Sequence, residues 1–476
     1  MKLSKLCASL LAASMLAGCV SAPPTDPQLK PVETARLGLD GASPPRPQNE
    51  WWKAFNDPQI DRLAAQVMAN NPTLQGALAR IRAAEAVLAA GRTATYPQVN
   101  LNAQEQRILL SKDYVIPPPY AGTWRWYGQV TANMTWDLDF WGRQASLIEQ
   151  AQGTTQAAAL DAQAAHLAIG GAFAQAYINL VQAYEDADIA DATVKERQTI
   201  LQLTQDRAKQ GLESEAAVEQ ARAILAAAKV DETRIAAVRE TLVHALAALA
   251  GQGAEAYATI TRPKPQLDAA LPLPDKLPVD LLSRRPDILA AQARIRAATA
   301  GREAAHAEFY PDINIAAIAG FQAIGLSNLI GGNSLTYGAG PAIHMPLFDA
   351  GRIRAQYAGA TAGLDQAVAD YNNTVLGAVR QTADALTQVK ALTEQRRQQA
   401  EVLASVQRAL SLAESRYKNG LSTQIAVLTA ESTLLSARQG MAALEAQLAT
   451  QRVTLLLCVG GAFEPVPTQT ASTASP

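Results

Sequence analysis

The sequence predicts a mainly α-helical chain with a membrane β-barrel portion, built from two internal structural repeats. Three observations predict it. First, Arg416–Ala437 (RYKNGLSTQIAVLTAESTLLSA) is a diluted copy of Arg207–Ala228 (RAKQGLESEAAVEQARAILAAA), and Arg285–Asn314 copies Asn71–Asn100, at offsets of 209 and 214 residues. Repeats that long mark duplication of one structural half rather than a short solenoid unit. Second, Trp124 to Trp141 changes from a helical period to a period of two, apolar against polar. Third, Gly142–Lys209 and Gly351–Lys418 are each 68 residues without a proline. At about 1.5 Å per residue, each reaches roughly 100 Å as one helix, more than a globular core needs.

Taken in order, the chain begins with a segment that reads as an export signal over 1–18. Lys2 and Lys5 precede an apolar run from Leu6 to Ala17, too short to span a bilayer and the right length for a signal peptide. Leu16-Ala17-Gly18-Cys19 resembles a bacterial lipobox, in which the Cys19 thiol becomes the acylated N-terminus. Acyl chains anchor because each buried CH2 contributes about 0.8 kcal/mol. Val20 in place of Asp resembles lipoproteins sorted to the outer membrane. The segment 19–56 is Pro-rich and aperiodic, a lipidated linker or surface-wrapping arm.

Three cysteines are present, and loss of Cys7 with lipidation of Cys19 leaves Cys458 alone, in an apolar run that suits a buried small hydrophobe. Stability then comes from packing and assembly rather than from disulfides. Formal net charge is −2, or −4 without Lys2 and Lys5, which gives no reason to expect nucleic acid. No segment after the signal reaches the roughly 18 uninterrupted apolar residues of a transmembrane helix.

The first repeat is placed at 57–260. It is entered from the arm through Trp51-Trp52-Lys53-Ala54-Phe55-Asn56-Asp57-Pro58, where Asp57 can cap a helix that Pro58 begins, and the paired tryptophans read as a buried anchor. A second helix starts at Pro72. A β-hairpin follows at 98–141, Val99–Leu110 pairing with the alternating stretch from Trp124, and its counterpart falls at 312–348 in the second repeat, 285–461. Aromatic at its ends and apolar on one face, such a strand suits an outer-membrane barrel. Four strands cannot close a barrel, so the chain must assemble: three copies give twelve strands, two give only eight, too narrow for cargo.

After each hairpin, apolar residues of the long helices recur at steps of three and four: Phe173, Tyr177, Leu180 and Tyr184; Leu364, Val368, Tyr371 and Val375; Leu403, Val406, Leu410, Ala413 and Tyr417. That is heptad packing, with Gly170-Gly171 as a candidate bend. Each long helix lies opposite a shorter pair of about 38 and 24 residues, nearly its own length when stacked. A Pro-rich bridge, 261–284, joins the repeats, and 462–476 is a tail.

The lipobox, the Trp-Trp-x-x-Phe-x-Asp-Pro opening, both Arg-Ile-Arg-Ala-Ala helices that end in Tyr-Pro and both Gly-Leu turns together resemble the outer-membrane efflux protein family, in its lipoprotein branch of TolC-, OprM- and NodT-like channels. The resemblance covers Cys19 to Gly461. It implies a homotrimer with a twelve-stranded barrel in the outer membrane of a Gram-negative bacterium, continued by a long periplasmic α-helical barrel. It also implies a periplasmic adaptor and an inner-membrane RND-type pump as partners. Gly211, Leu212, Gly420 and Leu421 match the tips that meet the adaptor. The periplasmic gate maps to Tyr417, Ser422, Ile425, Thr429 and Glu431. Thr429 stands where some relatives carry an acid, as does Ala426, so the gate is expected to rest on polar and packing contacts, with Glu431 as the nearby charge.

No catalytic residue, metal site or cofactor beyond a lipid on Cys19 is expected. His166, His244, His306 and His344 are scattered without ligand spacing, and no nucleophile has a base near it in sequence. Asp137 and Asp139 fall on the polar face or at the base of the barrel, where they would bias ion passage. Passive efflux of small compounds is the leading reading. A conduit for ATP-driven type I protein secretion is the alternative, and a non-channel envelope coiled coil is disfavoured by the alternating strands.

Overall fold

A computed structural model describes residues 25–113, 115–346 and 348–463. The signal segment, Cys19 and most of the tail lie outside them. The helices are α1 (Pro58–Asn70), α2 (Pro72–Thr93), α3 (Arg143–Lys209), α4 (Glu215–Leu249), the single turn α5 (Leu281–Arg284), α6 (Pro286–Ala307), α7 (Arg352–Lys418) and α8 (Gln424–Cys458). The strands are β1 (Gln98–Leu109), β2 (Trp124–Asp137), β3 (Asp312–Ile324) and β4 (Leu335–His344). α3 and α7 are 67 residues each, α4 and α8 35 each, and α2 and α6 22 each, so the duplication read from the sequence recurs element by element. The repeats differ where the 13-residue α1 of the first is a 4-residue turn, α5, in the second.

Contacts divide the chain into two units. One holds the chain to Pro31, Arg80–Ala158 and Ala290–Asn372; the other holds Val32–Ala79, Ala159–Leu289 and the chain from Asn373. The boundaries fall inside α2, α3, α6 and α7.

The first unit contains one antiparallel sheet in the order β1-β2-β3-β4, so the two hairpins pair with each other through β2 and β3. The hairpins are shorter than 98–141 and 312–348: β2 ends at Asp137 and β4 at His344. The chain leaves the sheet there because Asp139 turns to the start of α3, its two carboxylate oxygens accepting from the amides of Gln144 and Ala145 at 3.0 and 2.7 Å. Asp349 does the same for α7, accepting from Gly351 and Ile353. Asp139 therefore caps α3 where the chain leaves the sheet. In the same unit the arm is a wrapping segment: the amides of Gln28 and Leu29 both donate to Asp365, and the Thr25 carbonyl accepts from Arg302.

The second unit owns the main apolar core. Trp51, Trp52, Phe55, Ile60 and Leu63 pack with Phe173, Tyr177 and Leu180 of α3, Leu246 of α4, and Ala449, Val453 and Leu456 of α8. The tryptophans are the buried anchor that their sequence context implied. Asp57 caps α1 through the Gln59 amide at 2.9 Å and also accepts from the Tyr177 hydroxyl and the Lys264 amide, both at 2.7 Å. Burial, reinforced by that carboxylate, pushes the Tyr177 phenol far above its ordinary pKa. Gln59 holds the bridge through Thr261, whose amide donates to its side-chain oxygen at 2.9 Å. Gly170-Gly171 marks no break, since α3 runs through it; a Cβ on Gly171 would meet Leu457 Cδ1 at 2.1 Å, so the glycine serves close helix approach. By length and composition α3 is apolar enough to cross a membrane. The absence of an uninterrupted apolar run did not suggest it, and residues 169–181 of that helix lie largely in this core.

Candidate functional site

The sheet has two chemically distinct faces. Register places Val99, Leu101 and Ala103 of β1 beside Met134, Ala132 and Val130 of β2, then Ala317, Ala319 and Phe321 of β3, and Ala339, Tyr337 and Leu335 of β4. Val99, Leu101, Trp124, Trp126, Tyr337 and Ile343 of this face are exposed in the single chain. Water would reject so large an apolar surface, whereas lipid accepts it. On the other face, the Tyr127 hydroxyl donates to Gln129, Gln129 donates to Thr131 at 3.1 Å, and Asn133 donates to the same Thr131 hydroxyl at 3.2 Å. Strands of 10 to 14 residues suffice to cross a bilayer when tilted. Neither β1 nor β4 has a partner on its outer edge among the described residues.

Both tips are built alike. α3 closes with Gly211 at φ +72° and α7 with Gly420 at +71°, a left-handed backbone that glycine adopts without a side-chain clash. The amides of Leu212 and Leu421 return to the carbonyls of Arg207 and Arg416 at 2.9 and 2.8 Å, and those of Gly211 and Gly420 to Ala208 and Tyr417. These are Schellman closures, which satisfy the last carbonyls of each helix and turn the chain sharply. The turn residues Leu212 and Leu421 are left 61% and 69% exposed, apolar knobs that nothing among the described residues covers. An Arg207–Glu213 ion pair at 3.4 Å spans the first tip. Its repeat counterpart puts Ser422 opposite Arg416, and the Ser422 hydroxyl is buried without a partner among the described residues.

The remaining gate residues are near one another in α7 and α8 but do not form one intrachain cluster. Tyr417 reaches Gln424 at 3.5 Å rather than Ser422. Thr429 donates back to the Ile425 carbonyl of its own helix at 2.9 Å, which leaves an exposed and uncharged position. Glu431 is exposed, whereas Ile425 is half-buried. Sequence reasoning missed the polar contact beside them: Arg197 of α3 donates to Ser432 of α8 at 2.7 Å, next to a buried Glu196. α3 and α8 carry many polar residues, and only packing between helices distant in sequence selects these three.

No group of three or more potential metal ligands occurs among the described residues. His244 stacks on Tyr257 with centroids 4.2 Å apart, and His306 sits among Phe309, Tyr310 and Tyr357. His166, its pKa lowered by burial, lines a cavity of about 500 Å³ with Trp51, Trp52 and Phe463. Cys458 is half-buried, less enclosed than its apolar run implied, and burial pushes its thiol up. Cys19 lies outside the described residues.

A family model described as "Outer membrane efflux protein" matches residues 63–252 and 277–461. The chain belongs to that family. The outer-membrane efflux match falls on both repeats, leaving outside it the arm with the first turn of α1, residues 253–276 including the first part of the bridge, and the tail. Among curated members, the multidrug resistance outer membrane protein MdtP of Escherichia coli K12 is 30% identical over 480 residues, which cover 97% of each chain. The fusaric acid resistance protein FusA of Burkholderia cepacia is 34% identical over 372 residues, 75% of this chain and 70% of that one. Among solved structures, the outer membrane protein VceC of Vibrio cholerae superposes with a TM-score of 0.80 at 32% identity, over 88% of this chain and 100% of its own.

Proposed function

We propose that three copies of this efflux protein form the outer-membrane exit duct of a tripartite pump. Twelve strands close the barrel, the long helices continue it as a periplasmic tunnel, and conduction is passive. The observation that carries this reading is the four-stranded sheet, apolar on one face, polar on the other and open at both edges. Unpaired backbone edges are untenable in hydrocarbon, so β1 of one copy must pair with β4 of the next. The half-exposed stripe Leu403, Val406, Leu410 and Ala413, together with the exposed Tyr417, supports the same assembly for the helices.

In this reading Leu212 and Leu421 dock a periplasmic adaptor, and an inner-membrane RND-type transporter supplies drugs or other small toxic compounds. The names of MdtP and FusA support a small-molecule cargo. Tyr417, Ser422, Ile425, Thr429 and Glu431 line the periplasmic constriction, and Cys19 carries the lipid. No catalytic group is needed for such a duct. Crosslinking of cell envelopes followed by mass spectrometry of what co-purifies is the direct test. Recovery of an adaptor and a proton-driven pump is expected; recovery of an ATP-driven exporter instead would move the role to protein secretion. The N-terminal peptide of the parent should carry an acyl mass that a Cys19→Ser chain lacks, and a parent peptide of unmodified mass would remove the lipid anchor.

A further inference from the structure

Glu196 is 4% exposed, and both its carboxylate oxygens are buried without a hydrogen-bond partner, a condition shared by no other carboxylate among the described residues. Arg197 Nη1 lies 3.7 Å from Glu196 Oε1, beyond hydrogen-bond range, while Arg197 Nη2 donates to Ser432 Oγ at 2.7 Å. Glu196 lies about 20 Å of helix from the end of α3, and Ser432 about 12 Å from the start of α8. Buried Ala190 and Val194 of α3 and Leu428, Leu434 and Leu435 of α8 are their sequence neighbours. The bond therefore ties the first helical hairpin to the second below the main core.

We propose that Glu196, Arg197 and Ser432 form a proton-sensitive clasp between α3 and α8 that positions the two hairpins for closure of the periplasmic gate. The proposal rests on the exit-duct reading. A buried carboxylate without a partner is tolerated when neutral and costly when charged. Burial raises the Glu196 pKa first, Glu431 of α8 raises it further, and Arg197 of the same helix opposes both. Ser432 contributes no charge. When Glu196 ionises, either Arg197 swings to it and releases Ser432, or the helices part and admit water; both break the tie. Because the pKa is raised in the clasped form, the clasp is intact at and below the ordinary glutamate range. It weakens as pH rises through the raised value.

The test is amide hydrogen exchange of 190–200 and 428–436 in the full-length purified protein, with pH series corrected for intrinsic exchange rates, alongside single-channel recording. In the parent protein, protection of both segments should fall as pH rises, and in Glu196→Gln that dependence should disappear. Arg197→Ala should raise exchange roughly tenfold at low pH, where the clasp of the parent is closed, the factor that corresponds to about 1.4 kcal/mol, and should change it little at high pH, where the parent's clasp is already open. Ser432→Ala, which keeps the charges, should do the same. A pH dependence that survives in Glu196→Gln, or protection unchanged in Ser432→Ala, overturns the clasp. Should the exchange pattern hold while even Ser432→Ala, with the clasp released, carries no current in bilayers, the clasp stands and the exit-duct reading falls.

Discussion

Asp57 joins three segments that are far apart in sequence: its carboxylate caps α1, accepts the Tyr177 hydroxyl of α3 and holds the Lys264 amide of the bridge. The Asp-Pro pair announced the cap, since only the local requirement of a helix start was involved. The other two bonds were not legible, because nothing in residues 51–60 names a tyrosine 120 positions away. Asp57→Ala should therefore cost more than a cap alone, about 2–4 kcal/mol, the sum of a lost cap and a buried hydroxyl left without its acceptor. Thermal unfolding followed by circular dichroism checks this; a loss near the few tenths of a kcal/mol typical of an exposed site would mean that the network contributes nothing. The gate shows the same limit. Thr429 and Glu431 could be named only by resemblance, and the polar contact nearest them between α3 and α8 runs through Arg197 and Ser432.

At the scale of elements, period and turn chemistry were readable because each depends on neighbours in sequence. Alternation identified β2, β3 and β4 and their faces, β1 followed as the partner of β2, and the Gly-Leu pairs located both tips. Strand ends were misjudged by a few residues where Asp139 and Asp349 divert the chain into helix caps. Two substitutions on adjacent β2 residues test the faces. Ala132→Arg places a charge on the lipid side and should destabilise the barrel by about 2–4 kcal/mol, whereas Asn133→Arg on the polar side should be tolerated. Heat-resistant oligomer on gels reads the difference, and equal loss in both would refute the assignment of faces. At the tips, Leu212→Asp combined with Leu421→Asp should leave assembly intact and abolish adaptor crosslinking. Retained crosslinking would place the docking surface elsewhere.

For the whole molecule, duplication was the strongest signal, and it explains why α3 and α7, α4 and α8, and α2 and α6 match in length. What duplication does not supply is closure. Among the described residues, the chain satisfies its own core around Phe173 and Tyr177 but leaves two strand edges, an apolar sheet face and two leucine tips without partners. Only the open strand edges were foreseen from strand count, since four strands cannot wrap a lumen; the apolar face was read from alternation and the tips from the resemblance. The alternative of a dimer gives eight strands and an interior that side chains fill. Counting the copies in the detergent-solubilised full-length protein by native mass spectrometry tests the account most directly. Three copies are predicted; a monomer or a dimer as the assembled form would contradict it.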